Sequence, residues 1–396
     1  MIVLCANRLY TPKEVIENPL VFIEDGIISA VSSRAEQEVP RNATVINFTN
    51  STDDLGGAIL APGFVDIHMH GGAGLDVMRA VITDLPHLNN FLTKHGVTGY
   101  FPTTVAAPLD QTCAGLERMA DAIEASQDLS AGNGAAVQAR PLGIHLEGPF
   151  LSHKRRGVHP PEFLVEPTLE IFERLWQAAR GHVRMMTIAP ELIGAVEVIA
   201  EAARRNVCVS IGHSDATLDA ARAGVRAGAR HATHTFNAMR PLDHRDPGIL
   251  GEVLTDRQLT ADIIADGIHL APEVVQLFLQ AKGLERSVLI TDATAAAGMP
   301  DGTYQLGPIQ VEVKDGKCTM GGKLAGSVLT MDRAVRNVTE FAGWSLQDAV
   351  RAATLNPTRA VGLAQHGQLI EGAEANIIVL SANGEVRKTM VRGVGL

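Results

Sequence analysis

The feature that most constrains this chain is where its acidic and imidazole side chains fall. His68 and His70 close Ile59-Leu-Ala-Pro-Gly-Phe-Val-Asp-Ile-His-Met-His70, Glu147 closes Leu142-Gly-Ile-His-Leu-Glu147, and His213 closes Val207-Cys-Val-Ser-Ile-Gly-His213. His234 lies in His231-Ala-Thr-His-Thr-Phe236, and Asp292 closes Val288-Leu-Ile-Thr-Asp292. Each is at the C-terminal end of a short apolar run, and helix-like sequence separates one run from the next. A single parallel barrel brings such strand ends to one rim, where reacting groups of that architecture sit. Imidazole with carboxylate is also the ligand set of a hydrolytic metal site.

Candidate strands fall near 60–67, 97–102, 141–146, 183–189, 207–212, 230–235, 259–265 and 287–291. Helix-like stretches lie between them, as in Ile193–Arg205 and Pro272–Gln280. Eight such β/α units predict a TIM-type (β/α)8 barrel over residues 59–356. The competing architecture, an open doubly wound sheet, usually carries a Gly-x-Gly-x-x-Gly turn after its first strand. Gly71-Gly-Ala-Gly74 lacks that spacing. Residues 1–58 and 357–396 have another texture. Val21–Val31 is two strand-like runs about Asp25-Gly26, and Asn376–Leu380 and Lys388–Arg392 flank Asn383-Gly384. These are hairpin signals. The two ends are expected to form one small β-sandwich domain. Ala131–Ala136 reads as a surface loop.

The 396 residues, 46% of them hydrophobic, suffice for one large domain and a small one. The formal net charge of −10 and the lack of a basic run argue against a nucleic-acid surface. No apolar run reaches the roughly 20 residues that span a bilayer. Cys5, Cys113, Cys208 and Cys318 are widely spaced, as free thiols in a reducing compartment would be. A cytoplasmic protein with no membrane partner is expected, the N-terminus lacking the pattern of a signal peptide.

His68 and His70 are two apart on a strand, so their side chains leave the same face and can grip one ion. Glu147 closes an apolar strand, where a carboxylate is costly to desolvate without a partner charge. A cation would supply it; a salt bridge to Lys154, Arg155 or Arg156 is the alternative. His213 and His234 end consecutive strands and complete a ligand set. His145 is left unassigned, and His231, at its strand's start, is expected toward the opposite rim. Asp292 is placed to take a proton from an activated water, or to serve as a further ligand. His269 either polarises a carbonyl or starts a helix.

The order His-x-His, Glu, His, His, Asp resembles the amidohydrolase superfamily. More narrowly, Pro62–Gly71, His145-Leu-Glu-Gly-Pro149, Ile211-Gly-His-Ser-Asp215, Thr233-His-Thr-Phe-Asn-Ala-Met239 and Thr291-Asp-Ala-Thr294 resemble the N-acetylglucosamine-6-phosphate deacetylase family over nearly the whole chain. The resemblance implies hydrolysis of the acetamide of N-acetyl-D-glucosamine 6-phosphate, in amino-sugar catabolism and cell-wall sugar recycling. It implies that Glu147, His213 and His234 hold the main metal and that His68 and His70 allow a second. Zinc suits these ligands, as do iron, manganese and cobalt. By the same resemblance Asp292 is the base and His269 contacts the sugar or its acetamide. Val158, His159, Asn237, Ala238, Leu324, Ala325 and Gly326 line the substrate. Arg245 binds the phosphate across the interface of a homodimer, in the partner's site. On its residues alone, Arg245 would sooner pair with Asp243 or Asp246. The rival substrates are another N-acetylhexosamine phosphate, such as N-acetylgalactosamine 6-phosphate, and more distantly a cyclic amide. A non-catalytic scaffold on the same barrel is the rival of another class.

Overall fold

A computed structural model describes residues 1–49, 57–127, 137–363 and 365–395. The expected loop at 131–136 lies outside the described residues. Eight short strands form the central barrel: β1 (Phe64–Met69), β2 (Val97–Pro102), β3 (Ile144–Glu147), β4 (Val183–Ile188), β5 (Cys208–Ile211), β6 (His231–Ala232), β7 (Ala261–Ile264) and β8 (Ser287–Ile290). Ladders join β1 to β2, β3 to β4, β4 to β5, β5 to β6 and β7 to β8, all parallel. Single hydrogen bonds complete the ring. Leu142 donates to Tyr100, Ala232 to Thr260, Thr235 to Asp262, and Asp292 to His68. Parallel bridges Thr103–His145 and Met69–Ala293 sit at two of these joints.

Nearly every strand residue is buried, as expected of parallel strands covered by helices. The helices start where the sequence offers caps. Thr168 accepts from the Ile171 amide ahead of Leu169–Ala178, Thr217 from the Ala220 amide ahead of Leu218–Ala227, and Pro272 opens Pro272–Lys282. Their apolar faces, including Phe172, Ile199, Val225 and Phe278, pack on the barrel wall. Below the rim, the barrel interior is polar. His145 Nε2 is 2.7 Å from Thr187 Oγ1, which is 2.8 Å from Thr233 Oγ1, and Ser210 joins the same hydroxyl at 2.5 Å. His145, unassigned from sequence, is thus an interior layer residue.

The chain ends form two stacked sheets. One has the order Ile27–Ser33, Pro19–Glu24, Ile2–Cys5, Thr44–Asn47. The other has the order Val386–Met390, Ile377–Leu380, Ile59–Pro62, Arg8–Tyr10, Val15–Glu17. Leu4, Leu9, Val21, Ile23, Leu60, Ile377 and Val379 fill the space between them. Ile59–Pro62 corrects the expected first barrel strand. It pairs with Arg8–Leu9 and with Ile377–Leu380, and only Phe64–Met69 enters the barrel. Pro62 lacks an amide donor and Gly63 has no room for a side chain, since a Cβ there would lie 2.2 Å from Thr98. The break between two sheets falls at that pair. A second addition is a four-stranded antiparallel meander after β8: Gly302–Leu306, Ile309–Lys314, Lys317–Met320 and Lys323–Leu324.

Candidate metal centre and substrate cavity

Every strand-end ligand predicted from sequence arrives at one point of the rim. Glu147 lies at the centre and its two oxygens face different partners. Oε1 is 3.2 Å from His213 Nε2 and 3.1 Å from His234 Nε2. Oε2 is 3.3 Å from both His68 Nε2 and His70 Nε2. Asp292 Oδ1 stands on the second side, 3.1 Å from His70 Nε2 and 3.5 Å from His68 Nε2. The basic residues that could have paired with Glu147 are engaged elsewhere. Lys154 and Arg155 reach Asp215, and Arg156 reaches the His159 carbonyl.

The donor set fits a metal ion. His213 and His234 bring their Nε2 atoms within 3.0 Å, and His68 and His70 theirs within 3.3 Å. Two lone pairs at that distance repel unless a proton or cation lies between them. Two nitrogens at 2.0–2.1 Å from a tetrahedral ion would be about 3.3 Å apart. Two triads meet the spacing, His68–His70–Glu147 and Glu147–His213–His234, all buried. Burial disfavours a charged His70, but Asp292 and Glu147 outweigh it and push its pKa up to about 10. Burial likewise opposes ionisation of Glu147, yet the surrounding imidazoles, His68 foremost, hold it well below the usual carboxylate range. Burial opposes ionisation of Asp292 too, but His70 and the neighbouring imidazoles hold its carboxyl well below the usual range.

Backbone strain marks the same place. His213, His234, Phe236, Ala238 and Asp292 all have positive φ, between 29° and 78°. For residues with a Cβ this costs on the order of 1–3 kcal/mol each, and it persists where the surroundings impose it. Gly326, at φ 62°, answers the opposite need. A Cβ there would lie 2.9 Å from the Asp292 carbonyl and 2.6 Å from Thr294.

A cavity opens above the cluster. Its lining includes His70, Glu147, His213, His234 and Asp292, and also Val158, His159, Asn237, Ala238, His269, Leu324 and Gly326. Ala325 is buried beside it and does not line it. Asp266 Oδ2 binds His269 Nδ1 at 2.7 Å, which leaves Nε2 for the cavity. His159 Nδ1 accepts from the Ala106 amide at 3.1 Å, so its ring proton sits on Nε2, 3.8 Å from Glu147. Burial, with His213 beside it, pushes the His159 pKa down to about 3 and keeps the ring neutral. Asn237 Nδ2 is buried without a hydrogen-bond partner among the described residues, and Asn237 belongs to the lining. His231 does not join the cluster, but neither does it face away. Its Nε2 is 2.8 Å from Asp262 Oδ2 inside the barrel.

Arg245 is not brought to this cavity. It is exposed on the 240–247 loop, and no described ion pair involves it. Neither sequence-level partner takes its guanidinium. Asp246 pairs with Arg240, and Asp243 accepts from the Arg245 and Asp246 amides. Sequence reasoning missed Val105, Gly157, Ile264 and Leu306 in the lining, and Asp262 and Asp266 behind it. Leu306 arrives on the meander, whose alternation in Ile309-Gln-Val-Glu-Val-Lys314 before Asp315-Gly316 was the available signal. Asp266 stands three residues before His269, a spacing that could have flagged it.

A closed parallel barrel with this His-x-His, Glu, His, His, Asp rim defines a class, and residues 59–395 match the model of the amidohydrolase family. The chain belongs to that family, whose members depend on metal. Within it, the chain is 36% identical over 393 residues to N-acetylgalactosamine-6-phosphate deacetylase of Escherichia coli O157:H7, covering 99% of this chain and 98% of that one. It is 34% identical to N-acetylglucosamine-6-phosphate deacetylase of Bacillus subtilis (strain 168), over 97% and 94% of the two chains. It is also similar to a solved structure of N-acetyl-D-glucosamine-6-phosphate deacetylase from Mycobacterium smegmatis in complex with N-acetyl-D-glucosamine-6-phosphate. That likeness has a TM-score of 0.89 at 35% identity and covers 100% and 98% of the chains. No helix among the described residues is long and apolar enough to cross a membrane.

Proposed function

We propose that this chain hydrolyses the acetamide of N-acetyl-D-glucosamine 6-phosphate to D-glucosamine 6-phosphate and acetate. The observation that carries the reading is Asp292, buried at 7% exposure, aimed at the His68/His70 side of Glu147 and lining a cavity with unpartnered Asn237. Glu147, His213 and His234 would hold a divalent ion, most simply zinc, and His68 with His70 would hold a second. The ion supplies Lewis acidity. Asp292 takes the proton of the attacking water as its oxygen bonds to the carbonyl carbon. It then gives that proton to the amide nitrogen as the C–N bond breaks, so acetate and an amine leave. His269, held by Asp266, presents Nε2 toward the acetamide oxygen or a sugar hydroxyl. His159 offers Nε2–H, and Asn237 Nδ2 donates to the sugar.

Among the described residues, no Lys or Arg lines the cavity. A phosphate there calls for a cation from elsewhere, and the exposed, unpaired Arg245 of a second copy meets that need in a homodimer. The second reading, N-acetylgalactosamine 6-phosphate, is favoured by the relative that matches 99% of this chain. The two sugars differ only at C4. Acetate release by the metal-loaded protein from both phosphates and from unphosphorylated N-acetylglucosamine tests the assignment. A higher kcat/KM for N-acetylglucosamine 6-phosphate is expected. A reversed preference moves the substrate to the galacto sugar, and no release from any removes the activity.

A further inference from the structure

The four imidazoles of the cluster are not held alike. Metal-binding histidines usually donate their second ring nitrogen to an acceptor, which fixes the ring. His70 and His213 follow this rule. His70 Nδ1 is 3.1 Å from the Thr103 carbonyl, and His213 Nδ1 is 3.0 Å from the Arg155 carbonyl. His68 and His234 do not: the Nδ1 atom of each is buried without a hydrogen-bond partner among the described residues. In both of these residues a buried strand carboxylate grips the main-chain amide instead. Asp66 Oδ1 accepts from the His68 amide at 3.3 Å, and Asp262 Oδ1 accepts from the His234 amide.

The grip on His234 is the more elaborate. Asp262 is fully buried on β7, and both of its oxygens are used. Oδ2 meets His231 Nε2 at 2.8 Å, and the other ring nitrogen of His231 is 2.6 Å from Thr260 Oγ1. The Asp262 main-chain carbonyl accepts from Thr235 at 2.9 Å. Side chain and main chain of one residue therefore clasp both amides that flank the His234 carbonyl. His234 itself sits at φ 29°, outside the comfortable range of a residue with a side chain. A ring with no tether of its own can point reliably only if its backbone is fixed.

We propose that Asp262, braced by His231, is a positioning residue that sets the direction of His234 Nε2 toward Glu147 Oε1 by clasping the His234 backbone. This rests on the reading that Glu147, His213 and His234 bind a metal ion. The grip runs through successive hydrogen bonds: Thr260 orients His231, His231 orients Asp262, and Asp262 orients His234.

Zinc affinity, measured by competition with a chromophoric chelator on metal-stripped protein, tests the proposal. Melting of the metal-free forms is followed in parallel. Asp262→Ala removes the acceptor and should weaken the tightest zinc site by about 10- to 100-fold. Asp262→Asn keeps an oxygen for the His234 amide and should stay within a few-fold of the parent protein. Should Asp262→Ala fail to fold, Asp262→Ser replaces it with the same expectation. Its single oxygen stands near the place of the carboxyl carbon and cannot replace both carboxylate contacts. Equal zinc affinity in Asp262→Ala or Asp262→Ser and the parent overturns the proposal, whatever happens to melting. A loss in Asp262→Asn as large as in Asp262→Ala overturns it too, because the charge and not the clasp would then matter. Failure of the parent protein to bind zinc is a separate result, and it removes the underlying metal assignment.

Discussion

The barrel rim and the sandwich at the chain ends are both made of short strands, yet they treat polar groups in opposite ways. The sandwich buries Leu4, Leu9, Val21, Leu60, Ile377 and Val379 between its sheets. A part-buried ion pair at its junction with the barrel, Arg140 with Glu374 at 3.1 Å, is complementary. Asn376 and His366 add further contacts to Glu374. The rim instead packs four imidazoles and two carboxylates around one another, three of them on strained backbone, with strained Phe236 and Ala238 beside them. In the sandwich apolar side chains meet across the sheets, whereas at the rim like polar groups are forced together. Such conflicts are expected where a structure is built for chemistry and paid for by the scaffold. Substitutions at the rim should therefore change activity more than folding, and those at the junction should do the reverse.

The largest effect is expected at Asp292. Asp292→Asn cannot accept the proton of water, and loss of a general base costs about 100- to 10,000-fold in turnover. Metal content should be unchanged. Near-normal turnover with metal retained would end the proposed role of Asp292. Arg245→Ala should raise KM for the 6-phosphate substrate by about 10- to 150-fold, the equivalent of a charge-assisted contact of about 1.5–3 kcal/mol. Unphosphorylated N-acetylglucosamine should be little affected. Mixing Arg245→Ala with Asp292→Asn subunits sharpens the point. An arginine acting in trans leaves one intact site in each mixed dimer, so activity should return; no recovery despite confirmed exchange would refute the crossing. His68→Asn combined with His70→Asn should remove at most one ion, leaving Glu147, His213 and His234 to hold the other. Metal analysis that finds none would join the two triads into a single site.

At the junction the expected effect is on stability, and it depends on pH. Burial opposes ionisation of Glu374, but Arg140 and then His366 prevail and lower its pKa. The unfolded chain, with a Glu pKa of about 4.3, then binds more protons than the folded one as the pH falls. The stabilisation is present above that value and is lost as the pH drops through the lower folded pKa. Glu374→Gln should cost about 1–3 kcal/mol at neutral pH, with a gap to the parent protein that closes in acid. Denaturant melts at several pH values measure it. A gap that does not change with pH would mean that the charge contributes nothing there.

The rim was legible from sequence and much of its support was not, for physical reasons. A carboxylate or imidazole at the end of an apolar run is conspicuous because burial makes it costly, so Glu147, His213, His234 and Asp292 stood out. The barrel class followed from the spacing of the same runs. Ile59–Met69 reads as one apolar stretch, however, and periodicity cannot say that its first four residues pair with Ile377–Leu380 while Phe64–Met69 enters the barrel. Asp262 looks like a single polar interruption of Ala261-Asp-Ile-Ile264. Its importance depends on two partners, 28 and 31 residues away, that only the closed ring brings within reach. The meander carried a clear alternation, but it interrupts the β/α rhythm, and its delivery of Leu306 to the cavity is a tertiary fact.

The most direct test of the account is a metal titration of activity. Protein stripped by chelation is returned zinc in steps, and acetate release from N-acetylglucosamine 6-phosphate is measured at each. No turnover is expected without metal, with a rise that breaks at one or two equivalents per chain. Full activity in stripped protein of verified metal content would contradict it.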